Sequence, residues 1–159
     1  MANRERIQAS IEIDAPPAAG WAVVSDLRRM GEWSPQCKKM IIRGGEVKQG
    51  TRTINLNRQG WKWWPTRSYV KVFEPERTLA LKIAENGTIW TYALEPTERG
   101  TRLVESRTAP HGVSSLSNTL TKHVLGGTDQ FEAGLERGMQ ETLQRIKAAV
   151  ETASAGRAA

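Results

Sequence analysis

The 159-residue sequence is poor in the residues that carry most enzyme chemistry, with one cysteine and two histidines. A lone Cys37 forms no internal disulfide, which fits a reducing compartment. Cys37, His111 and His123 are too few for a structural zinc site. His111 reads as a loop residue, His123 as a helix-surface residue and Cys37 as a half-buried small side chain. No Ser-His-Asp or Cys-His order has a supporting motif. There is no H-E-x-x-H pair, Walker loop or G-x-G-x-x-G turn, which disfavours an oxidising, phosphoryl-transferring or metal-using enzyme. Apolar runs are too short to cross a bilayer. The start, Met-Ala-Asn-Arg-Glu-Arg, has no apolar segment of the secretory kind. These absences predict a cytoplasmic chain with no metal, no cofactor and no transmembrane segment.

What is present reads as an ordinary folded chain, 38% apolar and 25% charged. The length predicts one domain over residues 1–159, with a core at about 6–152 and a flexible tail at 153–159. The net charge of +6 is concentrated. Nine Lys and Arg residues fall between Lys38 and Lys71 against Glu46 alone, and Trp61, Trp63 and Trp64 share that window. Such a patch suits an anionic partner: an acidic ligand group, a membrane surface or nucleic acid. A merely solvated face accounts for the same charges. No helix-turn-helix or RNA-reading motif accompanies them, so nucleic acid is disfavoured.

Ile7, Ala9, Ile11 and Ile13 alternate with polar residues and predict a first strand. Asp14 is a plausible cap for a short helix carrying Trp21, Val24 and Leu27. A second short helix runs through Trp33, and Ser34-Pro35 stops it. Six strand patterns follow. They are Met40–Ile42, Thr51–Arg58 with Ile54 and Leu56 on one face, Ser68–Phe73, Leu79–Ile83, Ile89–Leu94 and Thr101–Thr108. Asn86-Gly87 is the strongest hairpin signal. Pro65 leaves the facing of Trp63 and Trp64 open, and three neighbouring tryptophans cannot all point inward. After Pro110 comes a weak helix with Leu116, Leu120 and Val124. A long amphipathic helix then runs from Asp129 to about Thr152, with Phe131, Leu135, Met139, Leu143 and Ile146 on one stripe. Gly134 and Gly138 lie beside that stripe.

This order implies an α+β fold. An antiparallel sheet of about seven strands has one face to cover, and the last helix is the element long enough to cover it. A curved sheet crossed by a single helix leaves space for an apolar pocket. The order and spacing of several short stretches resemble the SRPBCC superfamily, which spans START-related lipid-transfer domains, polyketide cyclases and aromatases, and birch-pollen-type ligand carriers. The stretches are Ile11-Glu-Ile-Asp-Ala-Pro-Pro17, Trp21-Ala-Val-Val-Ser-Asp26, Glu32-Trp-Ser-Pro35, Trp90 with Tyr92, Gly100-Thr-Arg-Leu103 with Glu105, and Gly138-Met139 with Thr142-Leu143. Composition and tail resemble the bacterial polyketide-cyclase/dehydrase-like branch. The resemblance implies a helix-grip fold, in which a seven-stranded sheet wraps the C-terminal helix over a hydrophobic cavity.

The expected ligand-binding residues are Trp33, Leu56, Arg58, Trp64, Val72, Leu81, Trp90, Tyr92, Glu105, Phe131, Leu135 and Met139. If the Leu103 face of the last strand is inward, Glu105 enters the pocket and needs a partner, which Arg107 or Arg58 can supply. Glu105 and Arg58 are therefore the candidate acid–base pair if the chain is an enzyme. The leading expectation is a binder of a small hydrophobic, lipid-like or polyketide-like molecule, bearing an acidic group in one version. The alternatives are a cyclase or dehydratase that folds its substrate into a reactive conformer, and a toxin-like or regulatory interaction protein using the basic, tryptophan-rich hairpin.

Overall fold

A computed structural model of the chain describes residues 6–109 and 128–158, and within its last helix the side chains of 133–155. The alternating isoleucines form β1 (Arg6–Ile13). Helix α1 (Pro17–Val24) begins with Pro17 at its first position, where a missing N–H costs nothing. The expected cap is corrected here: Pro16, not Asp14, holds the cap position, and no side chain caps the helix. The Asp14 N–H instead donates to the Glu151 carboxylate at 2.8 Å. A 3-10 turn (Leu27–Arg29) leads into α2 (Met30–Trp33).

The strands that follow are β2 (Cys37–Ile42), β3 (Arg52–Gln59), β4 (Lys62–Glu74), β5 (Thr78–Ile83), β6 (Ile89–Pro96) and β7 (Thr101–Thr108). Helix α3 (Thr128–Ala158) continues past Thr152, because Ala153 and Ala155 are strong helix formers that extend it through the expected tail. His111, His123 and the weak helix expected after Pro110 lie outside the described residues.

All seven strands pair antiparallel, in the order β1-β7-β6-β5-β4-β3-β2. Residues directly opposite one another share a face. Ile11 therefore lies with Leu103 and Leu94, and Ala9 with Glu105 and Tyr92. Leu79 and Leu81 follow opposite Tyr92 and Trp90. This is the inner face. Helix α3 packs over it, chiefly against β1 and α1. Its stripe of Leu135, Met139, Leu143, Ile146 and Val150 is buried, and each such side chain contributes about 1.5–3 kcal/mol.

Two expected facings are reversed. On β3 the inner row is Thr53, Asn55 and Asn57, all buried, while Ile54 and Leu56 are exposed on the outer face. A polar row tolerates burial because its groups bond one another. The Thr53 hydroxyl donates to Asn55 Oδ1 at 2.8 Å and also meets the Ser68 hydroxyl. The Asn57 amide donates to Thr66 Oγ1 at 3.0 Å. On β4 a bulge between Val70 and Val72 inserts one residue and flips the alternation. Phe73 then shares the inner face with Leu79, and Val72 the outer face with Ala80. Phe73 receives the Trp21 ring edge-on at 5.2 Å.

Gly31 ties α2 to β2. A Cβ at this position would overlap the carbonyl oxygen of Lys38. Gly31→Ala should therefore push β2 away from α2 and destabilise the protein by ~1–3 kcal/mol, the usual cost of overpacking. Urea unfolding monitored by circular dichroism reads this directly, and a midpoint equal to the parent's would show that the segment shifts freely.

Candidate functional site

A cavity of about 420 Å³ lies between the sheet and the N-terminal half of α3. Three parts of the chain build it. Ser34, Pro35, Gln36 and Lys38 line one side, held there by the turn from α2 into β2. The end of β3 and its turn, Arg58 to Gly60, forms the rim. Trp90 and Glu105 rise from β6 and β7, and Gly134, Leu135, Gly138, Met139 and Thr142 descend from α3. The glycines have a geometric role. A Cβ at Gly138 would stand 3.4 Å from Pro35 Cγ, about contact distance, so the bare helix face leaves space beside the Pro35 turn.

Glu105 is the chemically distinctive wall residue. It is 3% exposed, placed inward by its register with Ala9 and Tyr92. The Tyr92 hydroxyl donates to its Oε2 at 3.2 Å. Its Oε1 is buried and has no hydrogen-bond partner among the described residues. Burial pushes the carboxyl up to about 8, with the Tyr92 bond pulling weakly the other way. Glu105 is therefore mostly neutral at pH 7, and a neutral carboxyl owns one O–H donor. Burial first, and the adjacent Glu105 second, raise the Tyr92 phenol well above its ordinary value. Tyr92 is thus a fixed donor. Cys37 is pushed up to about 11 by burial, which makes it an inert thiol.

Five of the twelve expected binding residues come together on the cavity: Arg58, Trp90, Glu105, Leu135 and Met139. Tyr92 stands behind Glu105, and Trp33 and Leu81 are buried core residues. Leu56 and Val72 face away, for the two reasons of register given above. Trp64 is half-buried on the inner face opposite Asn57, beyond the cavity lining. The Phe131 side chain lies outside the described residues. Of the two partners expected for Glu105, Arg58 is not one: it is exposed and donates to the Gly60 carbonyl at 2.6 Å, while Tyr92, which was not expected, bonds the carboxyl. Arg107 shares the inner face, opposite Ile7 and Trp90. Gln36 and Gln59 were not anticipated, and Lys38 only as a member of the basic patch. Gln36 lies in the turn before β2, Lys38 at a register shift within β2 and Gln59 at the last position of β3, where alternation is no guide to facing.

The raised Glu105 carboxyl has a thermodynamic signature. Its folded-state value, about 8, exceeds the ordinary 4.5, so the folded protein holds the extra proton between those two values. Stability from this group is complete below about pH 4.5, declines as pH rises, and is gone above about pH 8. The full span is on the order of a few kcal/mol. Glu105→Gln should flatten this fall, so that its melting temperature relative to the parent's rises steadily from pH 5 to pH 8.5 (about the carboxyl's titration range). Parallel melting curves for the two proteins across that range would show an ordinary carboxylate.

Comparison with known proteins gives the family. Residues 4–151 match the model of polyketide cyclase / dehydrase and lipid transport proteins. No curated protein sequence matches the chain. Among solved structures, the polyketide-cyclase-like protein Cgl2372 from Corynebacterium glutamicum is 30% identical, with a TM-score of 0.65 over 95% of this chain and 94% of that one. The di-domain aromatase/cyclase StfQ of the steffimycin biosynthetic pathway shares the fold at 13% identity and a TM-score of 0.74, over 95% of this chain and 52% of that one. TTHA0849 from Thermus thermophilus shares it at 17% identity and a TM-score of 0.66, over 91% and 98% of the two chains. The sheet, the gripped helix and the cavity are thus those of a helix-grip fold, and the chain belongs to the polyketide cyclase / dehydrase and lipid transport family.

Proposed function

We propose that this protein binds a small, mainly apolar molecule in the cavity between the sheet and α3, with one oxygen of the ligand bonded to Glu105. The observation that carries this reading is a buried carboxyl, neutral at pH 7, on a wall shared with Trp90, Leu135 and Met139. Oε2 already accepts from Tyr92, so the proton belongs on Oε1, which has no acceptor among the described residues. A buried donor left unmade costs roughly 1–3 kcal/mol. A ligand carbonyl or carboxylate offsets that cost, while its apolar remainder lies on Trp90 and the α3 stripe. Lys38 and Arg58 at the rim favour an acidic group. The family's lipid and polyketide members support a ligand of this kind.

The same Glu105 observation supports a second reading, a cyclase or dehydratase. A carboxyl poised near neutrality is suited to give a proton to a departing hydroxyl or to take one from a carbon beside a ketone. The cavity would supply the folded conformer of the substrate. A poly-β-keto thioester offered to the parent and to Glu105→Gln separates the two readings. Turnover lost in the variant, with ligand binding kept, marks an enzyme; no turnover by the parent leaves a binder.

Mass spectrometry of the organic extract of the purified protein identifies the occupant. Two substitutions on α3 test its position. Gly138→Leu should keep the fold and fill the space beside Pro35, weakening binding of a dansyl-labelled fatty acid by about tenfold or more, roughly the loss when steric fill displaces an apolar contact. Met139→Ala should enlarge the cavity and destabilise the fold by ~2–5 kcal/mol, because Met139 is fully buried. Parent-like probe binding by both variants would remove α3 from the binding site.

A further inference from the structure

The outer face of the sheet at its β2–β3–β4 edge is apolar, aromatic and basic together. Register places Ile41 beside Ile54, Leu56 beside Pro65, and Arg58 beside Trp63. Ile41, Ile54, Leu56 and Tyr69 are each more than a third exposed. At the hairpin tip the exposure is greater, 82% for Trp61 and 51% for Trp63. Each of these two indoles carries a cation on its face. The Arg58 guanidinium sits 5.0 Å from the Trp63 ring centre, and the Lys62 ammonium 5.8 Å from that of Trp61. Lys39 and Arg52 flank the apolar stripe, and Arg67 lies beside it in an ion pair with Glu85.

Solitary exposed apolar residues need no explanation, but a contiguous patch with a charged rim marks an interaction surface. Its charge calls for an anionic partner. Exposed tryptophan with adjacent Lys or Arg is the composition of a membrane interface, where the indole lies at headgroup depth and the cation meets phosphate. Ile41, Ile54 and Leu56 offer aliphatic surface that a nucleic-acid base does not use, whereas an acyl boundary does. The tip also has a second position in the fold. Arg58, Gln59 and Gly60, on which Trp61 follows directly, form the cavity rim.

We propose that the tip and outer face of the β3–β4 hairpin dock on an anionic lipid bilayer and set the cavity rim against it. Docking itself is independent of the ligand reading; the exchange of an apolar ligand between bilayer and cavity rests on it. Apolar contact through the indoles and electrostatic attraction through the flanking cations both contribute, so binding requires anionic lipid and weakens with salt.

Cosedimentation with vesicles tests this, using phosphatidylcholine alone and phosphatidylcholine mixed with phosphatidylglycerol, at low and high salt. The parent should bind the anionic vesicles about tenfold or more better than the neutral ones, and salt should remove most of the difference. Trp61→Ala and Lys62→Glu change tip residues outside the cavity lining. Each should lower vesicle binding severalfold and leave melting temperature and dansyl-fatty-acid binding in solution unchanged. Brominated lipid should quench the parent's tryptophan fluorescence more than that of Trp61→Phe, placing the indole in the interface. Equal binding to neutral and anionic vesicles, or parent-like binding by both tip variants, overturns the proposal. So does binding of a single-stranded oligonucleotide without vesicle binding, or concentration-dependent dimerisation that Trp61→Ala abolishes, again without vesicle binding. Loss of fatty-acid binding by Gly138→Leu, with vesicle binding intact, distinguishes a cavity effect from a docking effect.

Discussion

The structure depends on how one helix covers a sheet wider than itself. Seven antiparallel strands present an inner face that a single helix of ordinary diameter cannot fill. Helix α3 places its larger side chains on one flank. Leu143, Ile146 and Val150 seal it against β1 and α1, where Val23, Val24 and Leu94 complete a dry core. Toward its N-terminal half the helix carries Gly134 and Gly138, and the facing wall is the Pro35 turn. Close packing in one half and missing side chains in the other are a single arrangement, and the cavity is its consequence. Gly31 belongs to the same constraint, because the approach of α2 to Lys38 is what presents the Pro35 turn to the helix.

Glu105 shows what such a cavity does to an ordinary residue. Its position is a plain alternation on β7, two residues from Leu103 and two from Arg107. Moved one residue along the strand it would face away from α3 and from the cavity. Facing inward, it is desolvated, held by Tyr92 and kept neutral near pH 7. The chemistry therefore comes from the register of β1, β7 and β6 and the burial that α3 imposes, rather than from a dedicated motif. This agrees with the absence of catalytic signatures in the sequence: a helix-grip cavity needs shape and one polar group, neither of which is a fixed spacing of residue types.

Much of the fold is legible in the sequence because two periods are clean. Ile7 to Ile13 and Leu79 to Ile83 alternate, Asn86-Gly87 turns the chain between β5 and β6, and the α3 stripe recurs at three and four. Alternation reports that two faces exist, but not which one is buried. On β3 the apolar pair Ile54 and Leu56 invites an inward reading. The inner row is nonetheless Thr53, Asn55 and Asn57, because β4 answers it with Thr66 and Ser68 and every member finds a partner. Such cross-strand satisfaction is a property of the pair of strands, invisible along one of them. Val72 is misread for a different reason. A bulge changes the parity of everything beyond it, and no glycine or proline marks this one. Gln36 in a turn, Lys38 at the register shift in β2 and Gln59 at the end of β3 sit where alternation breaks down, so they join the cavity wall only when the chain is folded.

The inversion of β3 also links the two faces of the hairpin. Because Thr53, Asn55 and Asn57 must point inward to bond β4, the intervening Ile54 and Leu56 are committed to the outside, next to Ile41 on β2. An outer apolar stripe is therefore a structural consequence of the inner polar ladder. The cations need a separate cause. Nothing in the ladder requires Lys39 or Arg52 beside that stripe, Lys62 on the Trp61 ring at the tip, or an indole at Trp61 with four-fifths of its surface in water. A solvated face made for solubility alone would mix both signs and keep large aromatics covered. An excess of cations, two uncovered indoles and an aliphatic stripe lie on the strand pair that also rims the cavity. A single anionic, apolar-backed partner on that side of the molecule accounts for all three.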